Sequence, residues 1–358
     1  MNLLNKAIQS FWYGHNPLRY LLWPFERLFH SLSSRRRSAF LNGQSPVFHA
    51  PVPVIVVGNI SVGGTGKTPL TIWLIEALRE RGYTPGVVSR GYGGDPDQYP
   101  HQVGPADTAD KVGDEPLMIY LRSKVPVVID PDRSSAVQAL LKNNAVDVVI
   151  SDDGLQHYRL ARTVELAVVD GQRGFGNENL LPMGPLREPV GRLKEVDAVV
   201  INCSAGQALV SRLNDMDAMA PRFQMHLTAG DLVALNKESE QPLGSGSMAL
   251  QNPGRVQAVA GIGNPQRFFQ TLSDLSIQFD PYPFRDHHRY TEQDLSELSR
   301  VAMGKNFIVT TEKDAVKLQC FPQVRGAYLP VNAKLQEGLI DVIMARLEDF
   351  KLHHSHRY

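Results

Sequence analysis

The stretch from Val54 to Leu74, VIVVGNISVGGTGKTPLTIWL, constrains the fold more than any other part of the chain. Val54-Ile55-Val56-Val57 lacks polar alternation and reads as a strand covered on both faces. Residues 67–81 read as a helix. Between them, Gly63, Gly64 and Gly66 precede Lys67-Thr68, close to the pattern Gly-x4-Gly-Lys-Ser/Thr, whose backbone N–H groups wrap a phosphate chain at a helix N-terminus. Counting back from Gly66 puts the first glycine of that pattern at Ser61. Serine fits a turn whose φ stays negative, so the departure weakens the match without destroying it. The expected nucleotide cradle is Ser61, Val62, Gly63, Gly64, Thr65, Gly66, Lys67 and Thr68. Lys67 would bridge the β- and γ-phosphates of a nucleoside triphosphate, and the Thr68 hydroxyl would ligate Mg²⁺, so Mg²⁺ is a cofactor to expect. The plain alternative is a chance glycine turn.

Strand and helix signals continue to alternate after this unit. Gly86–Ser89, Val125–Ile129, Val146–Ser151, Leu166–Asp170 and Ala198–Ile201 read as further buried strands. Polar, Gly- and Ser-rich sequence around Lys237–Gln251 breaks the rhythm. A second unit begins near Arg255, with strands expected at Val256–Ile262, Ile308–Thr311 and Ala327–Val331 and a closing helix over 333–350. The expected fold is α/β: a P-loop NTPase-type, mostly parallel sheet flanked by helices, a second smaller α/β domain, and an N-terminal amphipathic, membrane-contacting helix. The 358 residues suffice for this division. The expected boundaries are 1–40 for the amphipathic N-terminal segment, 41–220 for the P-loop domain, 221–254 for a linker and 255–352 for the C-terminal α/β domain.

Three acidic or histidine-bearing stretches add chemistry. In VDVVISDDGLQHYRL, an apolar strand ends in Asp152-Asp153, which puts two carboxylates at the C-terminal sheet edge beside the phosphate loop. That is where an aspartate holds the metal of a P-loop enzyme. In VGDEP, Asp114 is placed to take the proton of an acceptor hydroxyl, with Glu115 as a further metal-side carboxylate. An acidic helix N-cap followed by Pro116 explains the same residues equally well. In FRDHHRYT, Asp286 stands next to His287-His288, where it could fix the tautomer of one ring. Adjacent loop histidines are more often structural.

The first forty residues carry six Lys/Arg against one acid, Glu26, together with eight aromatic residues. Leu18, Leu21, Leu22, Phe25, Phe29 and Leu32 fall at helical spacing. Arg19, Pro24, Glu26 and Arg27 interrupt the run of roughly 20 apolar residues that a bilayer-spanning helix needs. No apolar core leads to a small-residue cleavage site, so a secretory signal is not expected. A helix lying in the headgroup layer fits the pattern, as does a helix packed on its own domain. Over the whole chain, 37 basic residues balance 37 acidic ones, which gives no argument for nucleic acid. Cys203 and Cys320 have no metal-like spacing, and no disulfide framework is expected.

Taken together, VGNISVGGTGKTP, SRGYGG, VGDEP, DDGLQH, LLPMGPLREP, DHHRYT and TTEKDAVKL, with the amphipathic N-terminus, resemble the tetraacyldisaccharide 4'-kinase family, the lipid A 4'-kinases of Gram-negative bacteria. The resemblance covers nearly the whole chain and includes the serine at position 61. It implies transfer of the ATP γ-phosphate to the 4'-hydroxyl of a tetraacylated glucosamine disaccharide 1-phosphate, giving lipid IVA. It also implies a catalytic set of Asp114, His287, Lys67 and Arg187, metal-side residues Thr68, Asp152, Asp153 and Glu115, and Tyr92, Arg133 and His157 near the lipid. Arg133 or a neighbour would meet the substrate 1-phosphate as a bidentate partner. The implied setting is the cytoplasmic face of the bacterial inner membrane, with a glycolipid substrate and a membrane surface as partners. No nucleic acid and no obligate protein partner is implied.

Two other P-loop classes fail at readable positions. A guanine-reading Thr-Lys-x-Asp would need its lysine one place earlier than Lys313 in Thr311-Glu312-Lys313-Asp314. A partitioning-type ATPase carries a lysine where this loop has Val62.

Overall fold

The computed structural model describes residues 10–14, 16–203, 206–215, 220–235, 256–301 and 307–354. Its strands are β1 (Val54–Gly58), β2 (Pro85–Ser89), β3 (His101–Gln102), β4 (Val127–Ile129), β5 (Val148–Asp152), β6 (Val164–Asp170), β7 (Ala198–Asn202), β8 (Arg222–Ala229), β9 (Val233–Ala234), β10 (Val256–Ala260), β11 (Phe279–Pro283), β12 (Ile308–Thr311), β13 (Gly326–Leu329) and β14 (Val331–Leu335). Among the described residues they form two sheets. The larger has the order β14-β8-β7-β6-β1-β5-β2-β4-β3, the smaller β11-β10-β12-β13-β9. Only β14, β3 and β9 run antiparallel to their neighbours. The α/β, mostly parallel architecture read from the sequence is the one observed.

β1 lies between β5 and β6 and is buried along its whole length. Ile55 and Val57 pack into a layer containing Leu70 and Leu74 of the helix Lys67–Arg79, Leu117 of the helix Asp114–Ser123 and Leu347 of the helix Leu339–His354. Val54 and Val56 face the opposite layer, with Val137 and Leu140 of the helix Arg133–Asn143. Covering both faces explains why β1 shows no polar alternation; each such side chain contributes about 1.5–3 kcal/mol by burial. The smaller sheet is built likewise. Val256, Ala258 and Ala260 meet Phe268 and Phe269, while Val259 meets Tyr290 and Leu318.

The sheets do not divide where the sequence suggests. The expected linker, 221–254, opens with β8, which extends the larger sheet, and contains β9, which belongs to the smaller one. The polar stretch Lys237–Gln251 lies outside the described residues. After β13 the chain returns to the larger sheet. The single strand expected at Ala327–Val331 is two, because Pro330 has no N–H to continue a ladder. The helix expected over 333–350 is preceded by β14, and the helix itself spans Leu339–His354.

At the N-terminus, one 3-10 turn, Pro17–Leu22, leads into the helix Trp23–Leu41. Phe29 packs partly against the core. Leu18, Leu21, Phe25, Leu28 and Leu32 instead stand 58–72% exposed along the opposite stripe. No helix among the described residues is long and apolar enough to cross a membrane.

Candidate active site

The loop after β1 is shaped by its neighbours. Ser61 forms an antiparallel bridge with Leu186, and the Val62 N–H donates to the Pro185 carbonyl at 2.8 Å. A residue bridged in this way needs no glycine, which accounts for the serine. Gly66, by contrast, has φ 97°, and a Cβ there would lie 2.4 Å from Asn202 Nδ2. Asn202, at the end of β7, donates to the Thr65 carbonyl at 2.9 Å, and Asn59 Nδ2 donates to Thr65 Oγ1 at 3.2 Å. Both buried amides hold the loop open at the start of the helix that carries Lys67 and Thr68.

β5 runs beside β1 and delivers Asp152 opposite Val57. Asp152 Oδ1 accepts from Thr71 Oγ1 at 3.0 Å, while its buried Oδ2 has no hydrogen-bond partner among the described residues. Burial, reinforced by Glu115 and Asp153, pushes this carboxyl well above the ordinary range. Asp153 follows with φ 48°. Burial acts against its charge too, but Lys67 and Arg187 outweigh it and hold the carboxyl at about 2. Lys67 Nζ sits 3.5 Å from Asp153, and Arg187 Nη1 donates to both its oxygens at 3.1 Å. The backbone of Arg187 is itself fixed to the loop, its N–H donating to the Ile60 carbonyl at 2.6 Å. The two cations expected at the phosphates and the acidic pair therefore meet at Asp153.

A second cluster reaches this edge from both sheets. Asp114 opens the helix Asp114–Ser123 and is 5% exposed. It accepts from the Glu115 N–H at 2.9 Å, and both its oxygens also lie 3.0–3.1 Å from His287 Nδ1. The acidic N-cap read from VGDEP is not what forms: Gly113 is the N-cap, and Asp114 is the first residue of the helix. Burial raises the Asp114 carboxyl, but His287, Lys313 and Lys317 together hold it below the usual range. Burial lowers the His287 imidazole, yet the Asp114 bond outweighs that and moves it upward. Tyr92 sets its ring edge-on to His287 at 5.1 Å between centroids. His288 turns away, stacked on Phe284 and 3.2 Å from Asp294.

Several expectations are redrawn by this geometry. Asp286 does not fix the His287 tautomer: its Oδ1 is 3.9 Å from Nε2, and it accepts from Lys313 instead. Glu115, expected at the metal, accepts from Lys313 Nζ at 2.9 Å. Arg133 is 2% exposed, with Nη1 donating to the Asp130 carbonyl at 2.8 Å and Nη2 to the Asp152 carbonyl at 3.3 Å. Its burial lowers it to about 10, still charged, and it braces the end of β5 from inside rather than offering a fork to a lipid phosphate. His157 lies near it, driven down to about 3 by burial and by Arg133, and is a neutral ring at physiological pH. Asp314, the residue a guanine reader would use, is fully buried and accepts from the Gly261 N–H and from Thr311 Oγ1.

Sequence reasoning gave no role to Asn202 or Lys313. A polar residue closing an apolar strand at the loop edge was the available signal for the first. The TTEKDAVKL stretch was the signal for the second.

The family model described as tetraacyldisaccharide-1-P 4'-kinase matches residues 18–348. A tetraacyldisaccharide 4'-kinase of Aeromonas salmonicida is 45% identical over 343 residues, covering 95% of this chain and 96% of that protein. One from Pseudomonas putida is 46% identical, covering 90% of each. The crystal structure of LpxK from Aquifex aeolicus in complex with ATP superposes with a TM-score of 0.71 at 26% identity, over 92% of this chain and 99% of that one.

Proposed function

The chain belongs to the tetraacyldisaccharide-1-P 4'-kinase family, and we propose that its phosphate loop and its Asp114–His287 pair divide the work of phosphoryl transfer between them. The protein is a kinase of lipid A synthesis: it transfers the γ-phosphoryl group of ATP to the 4'-hydroxyl of a tetraacylated glucosamine disaccharide 1-phosphate, forming lipid IVA. Phosphoryl transfer asks a protein mainly for positioning and charge stabilisation. The observation that carries the assignment is the half-buried Asp114–His287 bond, made across the two sheets at the edge where Lys67, Asp153 and Arg187 converge.

In this reading the N–H groups from Gly63 to Thr68, with Ser61 and Val62 at the rim, cradle the ATP phosphates. Lys67 and Arg187 leave Asp153 for the transferring group, where negative charge is densest. Asp114 orients the sugar hydroxyl and accepts its proton, and His287 holds the Asp114 carboxylate in place. The orphaned Asp152 Oδ2 and the buried Thr68 hydroxyl fit Mg²⁺, because a dication there would relieve an unpaired buried carboxylate. Bound there, Mg²⁺ would neutralise phosphate oxygens. Glu115 can join that set only by giving up Lys313. Tyr92, edge-on to His287, and His157 would meet the lipid, and Arg133 braces the end of β5.

The exposed stripe from Leu18 to Leu32, flanked by Arg19, Arg27, Arg35 and Arg36, supports docking on an anionic membrane surface. A tetraacylated substrate stays in a bilayer, so the cytoplasmic face of the inner membrane is the setting this reading implies. The functional units follow the sheets: β1–β8 with β14 bind ATP, and β9–β13 bring His287.

Magnesium dependence tests the assignment. Asp152→Asn should need far more Mg²⁺ for ATP turnover and lose about 10²-fold or more in rate. The thermal midpoint of its metal-free form should not fall. Wild-type magnesium dependence in a folded Asp152→Asn protein would remove Asp152 from the metal site.

A further inference from the structure

Lys313 is a buried lysine that the mechanism above does not use. It stands in the first turn of the helix Glu312–Leu318, whose start is fixed by Thr311 Oγ1 accepting from the Asp314 N–H. Its side chain is 16% exposed and reaches across from the smaller sheet to the larger. Nζ lies 2.9 Å from Glu115 Oε1, 3.5 Å from Asp286 Oδ1 and 3.2 Å from His287 Nε2. Glu115 and the other acids raise its affinity for its proton despite burial, so it is an ammonium.

An ammonium has three donors and no acceptor. A ring nitrogen 3.2 Å away must therefore offer its lone pair, because an N–H there would point hydrogen at hydrogen. The proton of the neutral ring is then on Nδ1, where Asp114 accepts it. Among the described residues, the charged and titratable groups facing His287 are Asp114, Asp286, Lys313 and the ring of Tyr92, with Lys317 3.8 Å from Asp114. Among them only Lys313 donates to Nε2.

We propose that Lys313 is a positioning residue for the phosphoryl transfer, one that holds His287 in its neutral Nδ1–H tautomer by donating to Nε2. With both ring nitrogens engaged, the imidazole takes no proton from substrate. The acceptor is an Asp114 carboxylate oxygen, and the ring's task is to present it. Lys313 also limits the upward drift that Asp114 imposes on the imidazole, since a cation beside Nε2 disfavours imidazolium. The same ammonium ties Glu115 of the larger sheet to Asp286 and His287 of the smaller, so the tautomer is set only when the sheets meet.

The inference rests on the Asp114–His287 reading, and the test separates the two. Nitrogen-15 spectra of the His287 ring in the full-length protein, at mildly alkaline pH, should show Nδ1 protonated and Nε2 bare. Lys313→Met should keep ATP binding and lose about 10- to 100-fold in kcat, part of the 10²–10⁴-fold that general-base help provides. The acid limb of its pH–rate profile should move to higher pH, and Lys313→Arg, which keeps a cation there, should restore much of that limb. A protonated Nε2 in the wild-type ring overturns the proposal, and this measurement stands even if Lys313→Met fails to fold. A uniform loss with an unmoved profile overturns it as well, leaving Lys313 a structural ion pair. Full activity in His287→Ala would instead sink the pair itself.

Discussion

Replacing both members of the Asp114–His287 pair, singly and together, discriminates between one catalytic unit and two independent residues. Asp114→Asn keeps size and one oxygen but cannot take a proton from the sugar hydroxyl. His287→Ala leaves the carboxylate in place without the ring that holds it. General-base assistance contributes about 10²–10⁴-fold. The geometry assigns the ends of that range: Asp114 is the proton acceptor and belongs near the upper end, whereas His287 acts through its bonds of 3.0 and 3.1 Å to Asp114 and belongs near the lower. At about 1.36 kcal/mol per factor of ten, these are barriers of about 5.5 and 2.7 kcal/mol. Independent residues would give a double mutant slower by about 8 kcal/mol; a coupled pair leaves it near the poorer single mutant, at about 5.5 kcal/mol. The assay is single-turnover phosphoryl transfer at saturating ATP, with ATP affinity measured separately and expected to change little, because neither residue touches the phosphate loop. Multiplicative losses would refute the pairing.

Lys67→Ala should lower turnover by about 10²–10³-fold while leaving the fold intact, as judged by circular dichroism and turnover together. Leu21→Glu with Leu28→Glu should weaken sedimentation with anionic vesicles by at least about tenfold, since each leucine forfeits about 1.5–3 kcal/mol of burial, and should leave ATP binding unchanged. The pair should also mark the pH dependence of thermal unfolding. The His287 contribution, with its raised pKa, is full below the ordinary imidazole value of about 6.5 and is lost as pH rises through the folded value. The Asp114 contribution, with its lowered pKa, is present above about 3.9 and is lost as pH falls through its folded value. The gap in thermal midpoint between wild type and His287→Ala should therefore be widest in mild acid and narrow toward alkaline pH.

How much of this was legible depends on whether the signal was local. Val54–Val57 announced a covered strand because every side chain there is apolar and β-branched, and Gly63, Gly64 and Gly66 before Lys67-Thr68 announced a phosphate-wrapping loop. β8 escaped notice because RFQMHLTA mixes buried and exposed positions beside the edge strand β14. β14 escaped because its half-buried alternation, Val331–Leu335, runs almost directly into a helix. Asp152 and Asp153 could be placed at the sheet edge from sequence, but not distinguished. Only burial shows that one is an orphan and the other is gripped by Lys67 and Arg187. The bond between Asp114 and His287, 173 positions apart, depends on how two sheets meet, and no spacing encodes that. Arg133 illustrates the opposite failure, since an arginine fit to grip a phosphate is spent on two backbone carbonyls.

The most direct measurement is the product itself. The purified protein, incubated with tetraacyldisaccharide 1-phosphate, ATP and Mg²⁺, should yield a lipid heavier by one phosphate in mass spectrometry. Phosphorus–proton correlation should place the new phosphate at the 4' position, and Asp114→Asn should slow its appearance without abolishing ATP binding. An unchanged lipid, or a phosphate attached at any other hydroxyl, would contradict the account.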